Sequence, residues 1–289
     1  MKRFPPNATR FIGASSDEPQ AGAVALLGVC YDGTTSFRAG TRGGPDGLRA
    51  VSENGIETYS PRLDRDLEEV NFSDLGNLEI PHGAPEPVVE AAYQAVRELL
   101  SAGTIPVILG GEHSISPGPI KAAFEHHPDL VVLQFDAHAD LRDEWNGSRH
   151  SHACAMRRVL DFLPADRLLQ VGIRSGTRDE FAEMRRANRL VRPAAGELRE
   201  ALARFGQAPL YLTFDLDFFD PSLVPGTGTP EAGGIDWATC EDLIEVLCEQ
   251  RIVAFDLVEL APTLDPAGVS ACVAAKLLRE LILITPSGL

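Results

Sequence analysis

Six short apolar segments recur along the chain, separated by longer stretches that mix apolar and polar residues. They are residues 24–29, 105–109, 130–135, 168–173, 210–214 and 252–258. Their residues are apolar at consecutive positions rather than at every second one, which is typical of strands that are covered on both faces. Two weaker segments, 69–75 and 189–193, bring the predicted number to about eight strands. The pattern predicts a parallel sheet.

Four of the stretches between these segments have the periodicity of helices. They are residues 86–103, 116–129, 236–250 and 268–282. In the first of them, Val89 and Val96 fall on one face, and Gly103 is a natural stop. Strands that alternate with helices predict a three-layer α/β/α fold around a central parallel sheet. No proline-rich or serine-rich linker interrupts the chain, so we predict a single domain over 1–289 with 1–20 as an N-terminal extension.

Composition narrows the classes of partner. Hydrophobic residues make up 44% of the 289 residues, which is enough for a large core. The net charge of -16 argues against nucleic acid or anionic lipid as partner, because phosphate-binding surfaces need clustered Lys and Arg, and it is compatible with a cationic substrate. No apolar stretch is long enough for a signal peptide or a membrane span, so we expect a cytoplasmic protein. The five cysteines lack CxxC spacing, so neither a disulfide framework nor a zinc ribbon is predicted.

The segment FDAHADLRD (135–143) places metal-binding side chains at every second position. Asp136, His138 and Asp140 would point the same way if extended geometry continues through them. Other predicted strand ends add residues of the same kind, namely His113, Asp215, Asp217, Asp256 and Glu259. Because ligands bind at the carboxyl ends of the strands in open α/β sheets, we expect these side chains to converge.

A charge count indicates what such a cluster would hold. The six best candidates supply four carboxylates and two imidazoles, and they are His113, Asp136, His138, Asp140, Asp215 and Asp217. Two divalent cations would balance the four negative charges, whereas one would leave buried carboxylates unpaired at a high cost. This favours a binuclear metal site. Oxygen and imidazole donors without thiolate fit Mn(II), with Mg(II), Co(II), Zn(II) or Fe(II) as alternatives.

Four motifs resemble the signature blocks of the ureohydrolase family, which includes arginases and agmatinases. They are GGEHSIS (110–116), FDAHADLRD (135–143), YLTFDLDFFDPSLVPGTGTPEAGG (211–234) and DLVELAPTLD (256–265). The resemblance implies an arginase-like fold and two Mn(II) ions per subunit. It implies that one ion is held by His113, Asp136, Asp140 and Asp215, and the other by Asp136, His138, Asp215 and Asp217. Asp136 and Asp215 would then bridge the two ions.

The resemblance also implies roles for residues around the metals. A hydroxide that bridges the two ions would attack the guanidinium carbon. Glu259 matches the family glutamate that pairs with the guanidinium, to which a carboxylate offers two acceptors. Asp140 would relay the proton of the hydroxide, and His152 would carry protons to the leaving amine. His150 is the competing choice for this shuttle, and is otherwise expected to form a wall of the substrate cleft.

The stretch LRDEWNGSRHSHACAMRR (141–158) resembles the agmatinase branch rather than the arginases, whose loop here is rich in Ser and Asn. The expected reaction is therefore hydrolysis of agmatine to putrescine and urea. The groups expected to face the distal amine of agmatine are Asp143, Glu144 or Trp145. The alternative substrates are 4-guanidinobutyrate and related guanidino acids, whose carboxylate would need Arg38, Arg142 or Arg149.

Other function classes fit the sequence less well. An arginase would carry the Ser- and Asn-rich loop, and a single-zinc deacetylase of related fold would need fewer carboxylates. A non-catalytic metal-binding protein would have lost a ligand, Glu259 or His152, all of which are present. A dinuclear phosphohydrolase would need clustered basic residues near the ligands. Ureohydrolases are commonly trimers or hexamers, so the resemblance implies a homo-oligomer.

Overall fold

A nine-stranded sheet forms the centre of the computed structural model, which describes residues 1, 3–4 and 10–285. Over these residues the strands are β1 (Arg3–Phe4), β2 (Val24–Val29), β3 (Tyr59–Ser60), β4 (Arg65–Asp66), β5 (Phe72–Leu78), β6 (Ile105–Gly110), β7 (Val131–Phe135), β8 (Leu168–Val171), β9 (Leu190–Val191), β10 (Leu210–Asp215) and β11 (Ile252–Val258). Strands β3 and β4 form a separate pair, and the sheet order is β1-β5-β2-β6-β11-β10-β7-β8-β9. Eight of these strands run parallel, which confirms the predicted sheet. Strand β1 is antiparallel to β5 and lies in the predicted N-terminal extension.

Helices cover both faces of this sheet. In the described part of the chain they are α1 (Gly44–Gly55), α2 (Pro85–Ser101), α3 (Pro117–His126), α4 (Ala155–Val159), α5 (Arg178–Arg186), α6 (Ala195–Ala203), α7 (Trp237–Leu247) and α8 (Val269–Ile284). Strand β2 shows why two layers form, because successive side chains point to opposite faces. Leu26 belongs to the same apolar core as Leu278 of α8, and Leu27 belongs to the other core with Val96 of α2. The three-layer α/β/α prediction is confirmed.

Some predicted elements begin or end elsewhere. The strand predicted at 69–75 begins at Phe72, because a short 3-10 turn covers Leu67–Glu69. The Asp66 carboxylate caps that turn by accepting the Glu68 backbone N–H at 3.0 Å. The structure also contains helices that the pattern did not predict, α1, α4, α5 and α6. Helix α1 has the sequence GPDGLRAVSENG, whose glycines and proline indicate a turn, although proline is well tolerated in a first helical turn.

Four neighbouring strands at the centre of the sheet, β6, β11, β10 and β7, bring the candidate residues to one edge. His113 follows β6, Glu259 follows β11, Asp215 ends β10 and Asp136 follows β7. These strands are parallel, so their carboxyl ends lie side by side, where ligands bind in open α/β sheets. Within the described residues, no helix has both the length and the apolar content that crossing a bilayer requires.

Candidate metal centre

Two overlapping groups of donor atoms lie at this edge of the sheet. His113 Nδ1 lies 3.1 Å from Asp136 Oδ2 and 3.0 Å from Asp140 Oδ2. His138 Nδ1 lies 2.9 Å from Asp217 Oδ2 and 3.7 Å from Asp136 Oδ1. In each group, one donor atom from each of three residues lies within 4.8 Å of the others, and both groups include Asp136. Each group is therefore compact enough to hold one metal ion.

Asp215 lies beside the first of these groups. Its Oδ2 is 3.5 Å from His113 Nδ1. Its Oδ1 accepts a hydrogen bond from the Asp217 backbone N–H at 2.9 Å, which fixes the turn that follows β10. The structure thus brings all six predicted ligand residues together, and Asp136 contacts both imidazoles. The assignment of each residue to a particular ion stays a prediction.

Asp140 and Glu259 have a left-handed backbone, with φ of 53° and 69°. Residues other than glycine adopt this conformation infrequently, and such residues cluster at functional sites. Strand β7 ends at Phe135, and Asp140 reaches His113 from this left-handed position. Extended geometry therefore does not continue through Asp140, and the predicted convergence of the side chains is found without it.

Burial and crowding shift the pKa values in the cluster. Burial raises the pKa of Asp215 well above its usual range, and the charges of Asp217 and Asp136 raise it further. Burial and then Asp136 raise the pKa of Asp140 to about 6. Burial lowers the pKa of His138, but Asp217 and Asp136 outweigh it and raise that pKa to about 12. The cluster holds protons that a bound cation would displace.

Two buried atoms in the cluster form no hydrogen bond of acceptable geometry with the described residues, and they are His113 Nδ1 and Asp217 Oδ2. Each residue belongs to one of the two donor groups. A buried polar atom without a partner is costly, and a cation in each group would provide one. The donors are carboxylate oxygens and imidazole nitrogens, which suit divalent ions such as Mn(II). The residues therefore fit a pair of divalent cations.

Glu259 is 5% exposed and lies against the same cluster. Its Oε1 accepts the His113 backbone N–H at 2.9 Å. Its Oε2 faces the PGTGTP loop, where a Cβ on Gly228 would lie 3.4 Å away. Burial and the neighbouring Glu112 raise the pKa of Glu259 well above its usual range. One oxygen thus fixes the carboxylate next to the candidate ligand His113.

A cavity opens onto the cluster and is lined by His138, Asp140 and His152. His152 is held by two hydroxyl groups, since its backbone N–H donates to Thr34 Oγ1 at 2.9 Å and its Nε2 lies 3.1 Å from Ser36 Oγ. Burial and the charge of His138 lower the pKa of His152 to about 4. Its imidazole is therefore neutral near pH 7.

Trp145 lines the same cavity, and the Arg142 guanidinium lies 4.2 Å from the centroid of its ring. Such a contact is a favourable cation–π interaction, so part of the aromatic surface is already covered. Asp143 does not line this cavity. It is exposed and pairs with Arg149 at 3.1 Å and Arg158 at 2.8 Å. Asp143 is therefore engaged by two arginines, and the expectation that it faces the substrate amine stays a prediction.

His150 lies in a different cavity, which it shares with Glu86 and Arg158. Its backbone N–H donates to Ser148 Oγ at 3.1 Å. The structure therefore does not bring His150 to the cleft that it was expected to line. Of the two histidines compared for proton transfer, His152 is the one that lines the cavity with the candidate ligands.

Comparison with known proteins shows which family has this architecture. The family model of the Arginase family matches residues 22–284. The chain belongs to the arginase family. An agmatinase from Bacillus subtilis is 36% identical over 280 residues, which are 94% of this chain and 95% of that one. An N(1)-aminopropylagmatine ureohydrolase from Thermococcus kodakarensis is 38% identical over 273 residues, 90% of each chain. The crystal structure of the agmatine ureohydrolase of Thermoplasma volcanium has a TM-score of 0.83 at 30% identity, and the match covers 96% of this chain and 94% of that one.

Membership of the arginase family confirms the resemblance drawn from the four motifs. The solved structure confirms the arginase-like fold. The matched range 22–284 contains every candidate site residue, from His113 to Glu259. The individual roles of these residues in the arginase-family site stay predictions.

A chain of hydrogen bonds behind His113 was not predicted. His113 Nε2 lies 2.8 Å from Thr213 Oγ1, which donates to Asp256 Oδ1 at 2.6 Å. The Tyr211 hydroxyl donates to Asp256 Oδ2 at 2.7 Å. Because the Thr213 proton is used for Asp256, a lone pair faces His113, so Nε2 carries the hydrogen and Nδ1 is directed to the donor group. The alternation of Tyr211 and Thr213 along β10 was the available signal, since both point to one face.

Glu112, next to His113 in the GGEHS motif, was also missed. It is fully buried, and its carboxylate accepts hydrogen bonds from Thr34, Thr35 and Ser114. The available signal was an acidic residue placed between an apolar strand and a candidate ligand. Its partners lie 77 or more residues away along the chain except for Ser114, so spacing alone could not identify them.

Proposed function

We propose that this arginase-family protein hydrolyses agmatine to putrescine and urea at a centre of two divalent metal ions. The proposal is carried by the two donor groups that share Asp136, with Glu259 in the same buried cluster. Such a cluster combines a cation site with a carboxylate acceptor for a planar guanidinium. The relatives named agmatinase and N(1)-aminopropylagmatine ureohydrolase support a guanidino substrate.

We propose Mn(II) as the metal, with two ions per subunit. Carboxylate and imidazole donors without thiolate support this choice over softer metals. The residues that would hold the ions are His113, Asp136, His138, Asp140, Asp215 and Asp217. When bound, the ions supply Lewis-acid activation of water near neutral pH.

The chain's own residues would bind the substrate and move protons. Glu259 accepts N–H groups of the guanidinium and holds its carbon against the cluster. Asp140, whose carboxylate lies in the donor cluster and lines the cavity, takes the proton released by water. His152 relays a proton to the leaving nitrogen as the C–N bond breaks, so that the products are urea and the free amine.

A second candidate substrate is 4-guanidinobutyrate or a related guanidino acid. Arg142 lines the cavity and pairs with no carboxylate among the described residues, so it could bind a substrate carboxylate. The two other arginines considered are already engaged. Arg149 pairs with Asp143, and Arg38 donates to the Thr227 carbonyl oxygen at 2.5 Å.

The test is urea release by the Mn(II)-loaded protein, with agmatine, N(1)-aminopropylagmatine, arginine and 4-guanidinobutyrate ranked by kcat/KM. We expect agmatine to lead. If 4-guanidinobutyrate leads and R142Q selectively removes that activity, the second candidate replaces the first. If no compound releases urea after metal loading, the ureohydrolase proposal is wrong.

We further propose a homo-oligomer, a trimer or a hexamer, whose partner molecules are small cationic guanidino substrates rather than nucleic acid or membrane. The cytoplasmic location expected from the sequence also stays a prediction. Light scattering of the purified protein at micromolar concentration gives the oligomeric mass. A monomer under these conditions would contradict the oligomer proposal.

A further inference from the structure

Three residues that were not predicted as site residues lie around His152. Two of them contact His152, and the third holds one of those two. Thr34 Oγ1 accepts the His152 backbone N–H at 2.9 Å, and Ser36 Oγ lies 3.1 Å from His152 Nε2. Glu112 is fully buried and accepts the backbone N–H of Thr34 at 2.9 Å and its hydroxyl at 2.5 Å. We call Glu112, Thr34 and Ser36 the histidine clamp.

The hydrogen bonds of Glu112 fix the direction in which the Thr34 hydroxyl points. All four groups that contact the Glu112 side chain are donors, and they are the Thr34 N–H and the hydroxyls of Thr34, Thr35 and Ser114. A threonine hydroxyl has a single proton. Since that proton is given to Glu112, the Thr34 oxygen presents a lone pair to the His152 N–H. The clamp therefore sets the position of the His152 backbone as well as the loop after β2.

A purely structural role would need only the contacts that anchor the loop after β2. Thr35 has that role, since its hydroxyl contacts Glu112 at 3.1 Å and the Asp32 carbonyl oxygen at 3.1 Å. Thr34 differs because it is shared between Glu112 and His152. The two neighbouring threonines are thus a matched pair, in which one contacts the histidine and the other does not.

We propose that the histidine clamp positions His152 to pass a proton to the leaving nitrogen. This inference rests on the proposed ureohydrolase function. As the C–N bond breaks, its electron pair stays on the amine nitrogen. His152 passes to that nitrogen the proton that Asp140 takes from water, so that its imidazole is neutral before and after the step. The clamp residues themselves are positioning residues, since they exchange no atom with the substrate.

The first test compares T34V, T34S and T35V. T34V keeps the shape of the side chain and removes the acceptor for the His152 N–H, so kcat should fall about tenfold with KM within about twofold, the scale of one hydrogen bond. T34S keeps the hydroxyl and should restore kcat. T35V should keep kcat within about threefold. Equal losses in T34V and T35V would overturn the clamp.

A double-mutant cycle tests whether the effect passes through His152. In a H152A background, T34V should cause no further loss of kcat. Ser36→Ala should also lower kcat in the native background and have no effect in H152A. If T34V is still about tenfold slower in the H152A background, the clamp does not act through the histidine and the inference is wrong.

Amide hydrogen exchange of residues 149–154 provides a readout that does not need activity. T34V should accelerate exchange at the His152 amide about tenfold or more, whereas T34S and T35V should leave it close to the native rate. Unchanged exchange in a folded T34V protein would overturn the clamp. If the native protein releases no urea, the proposed function fails, and the exchange measurement still decides whether the clamp holds His152.

Discussion

Two buried clusters of charged residues in this molecule differ in how their charge is balanced. Arg49 of α1 and Asp74 of β5 are 2% and 0% exposed and pair at 2.9 Å. Asp74 also accepts the backbone N–H groups of Phe11 at 2.8 Å and Gly76 at 3.1 Å. At the ends of the central strands, five buried carboxylates face two imidazoles, and two polar atoms have no acceptable partner in the described chain. The protein completes the first cluster itself, whereas the second has an excess of carboxylates that cations would balance.

The difference shows which buried charges indicate a ligand. A buried ion pair with satisfied hydrogen bonds can be a structural element, and Arg49 in this role joins α1 to Asp74 of β5. An excess of buried carboxylates has no such explanation, because each uncompensated charge costs several kcal/mol. Charge balance within the cluster, more than burial alone, therefore separates the candidate metal centre from the structural ion pair.

The largest expected effect comes from removing one of the two aspartates predicted to bridge the ions. D136A and D215A should each lower kcat/KM for urea release by at least about a thousandfold, because they remove ligands of the ions that activate water. Metal analysis after dialysis should find fewer than two ions per subunit. Asp242→Ala, at an exposed site on α7, is the control. Full metal retention in D136A or D215A would contradict the bridging assignment.

The stability of the metal-free protein contrasts the two clusters directly. D74N removes the buried carboxylate that pairs with Arg49 and leaves it only the exposed Asp46 at 3.3 Å, so it should cost about 3–5 kcal/mol in the free energy of unfolding. D215N should instead stabilise the metal-free protein near pH 7, since burial and then Asp217 raise the pKa of Asp215 and make its carboxylate unfavourable there. Urea denaturation of both variants measures this. A loss of stability of similar size in D215N would show that the charges of the candidate metal centre are balanced without cations.

The sequence predicted those features that depend on local pattern. Consecutive apolar positions such as 24–29 and 252–258 indicated central strands, and the strand-end motifs identified six candidate ligands that the structure brings together. The proposed partner of His113, Thr213, and the support from Glu112 were missed, because both depend on which strands become neighbours. The structure places His150 in a cavity other than the one that it was expected to line. The position of the His150 side chain depends on tertiary contacts, which the spacing of residues in the sequence does not predict.

A smaller effect on catalysis is expected in the cavity that opens onto the candidate metal centre. H152A should lower kcat about a hundredfold, as is typical for loss of a general acid–base group, with both ions retained. H150A should keep kcat within about threefold, because His150 lines a separate cavity. Steady-state urea release and metal analysis of both variants provide the comparison. The reverse result, a slow H150A and a native-like H152A, would assign the proton transfer to His150 and show that it reaches the cluster during turnover.

The smallest expected effect is on the pH dependence of the free energy of unfolding. It distinguishes the candidate metal centre, beside which His152 lies, from the Arg49–Asp74 pair, which contains no histidine. Burial and then the charge of His138 lower the pKa of His152 to about 4, whereas an unfolded histidine titrates near 6.5. As the pH falls from about 7 to about 5.5, the unfolded chain takes up a proton that folded His152 does not, so the folded protein should lose about 1 kcal/mol of stability. His152→Asn should lack this component, while histidines elsewhere contribute equally to both proteins. Urea denaturation of the two metal-free proteins at both pH values measures the difference. If native protein and variant lose stability in parallel, His152 accepts a proton as readily as in the unfolded chain, and burial beside the charged His138 does not keep it neutral.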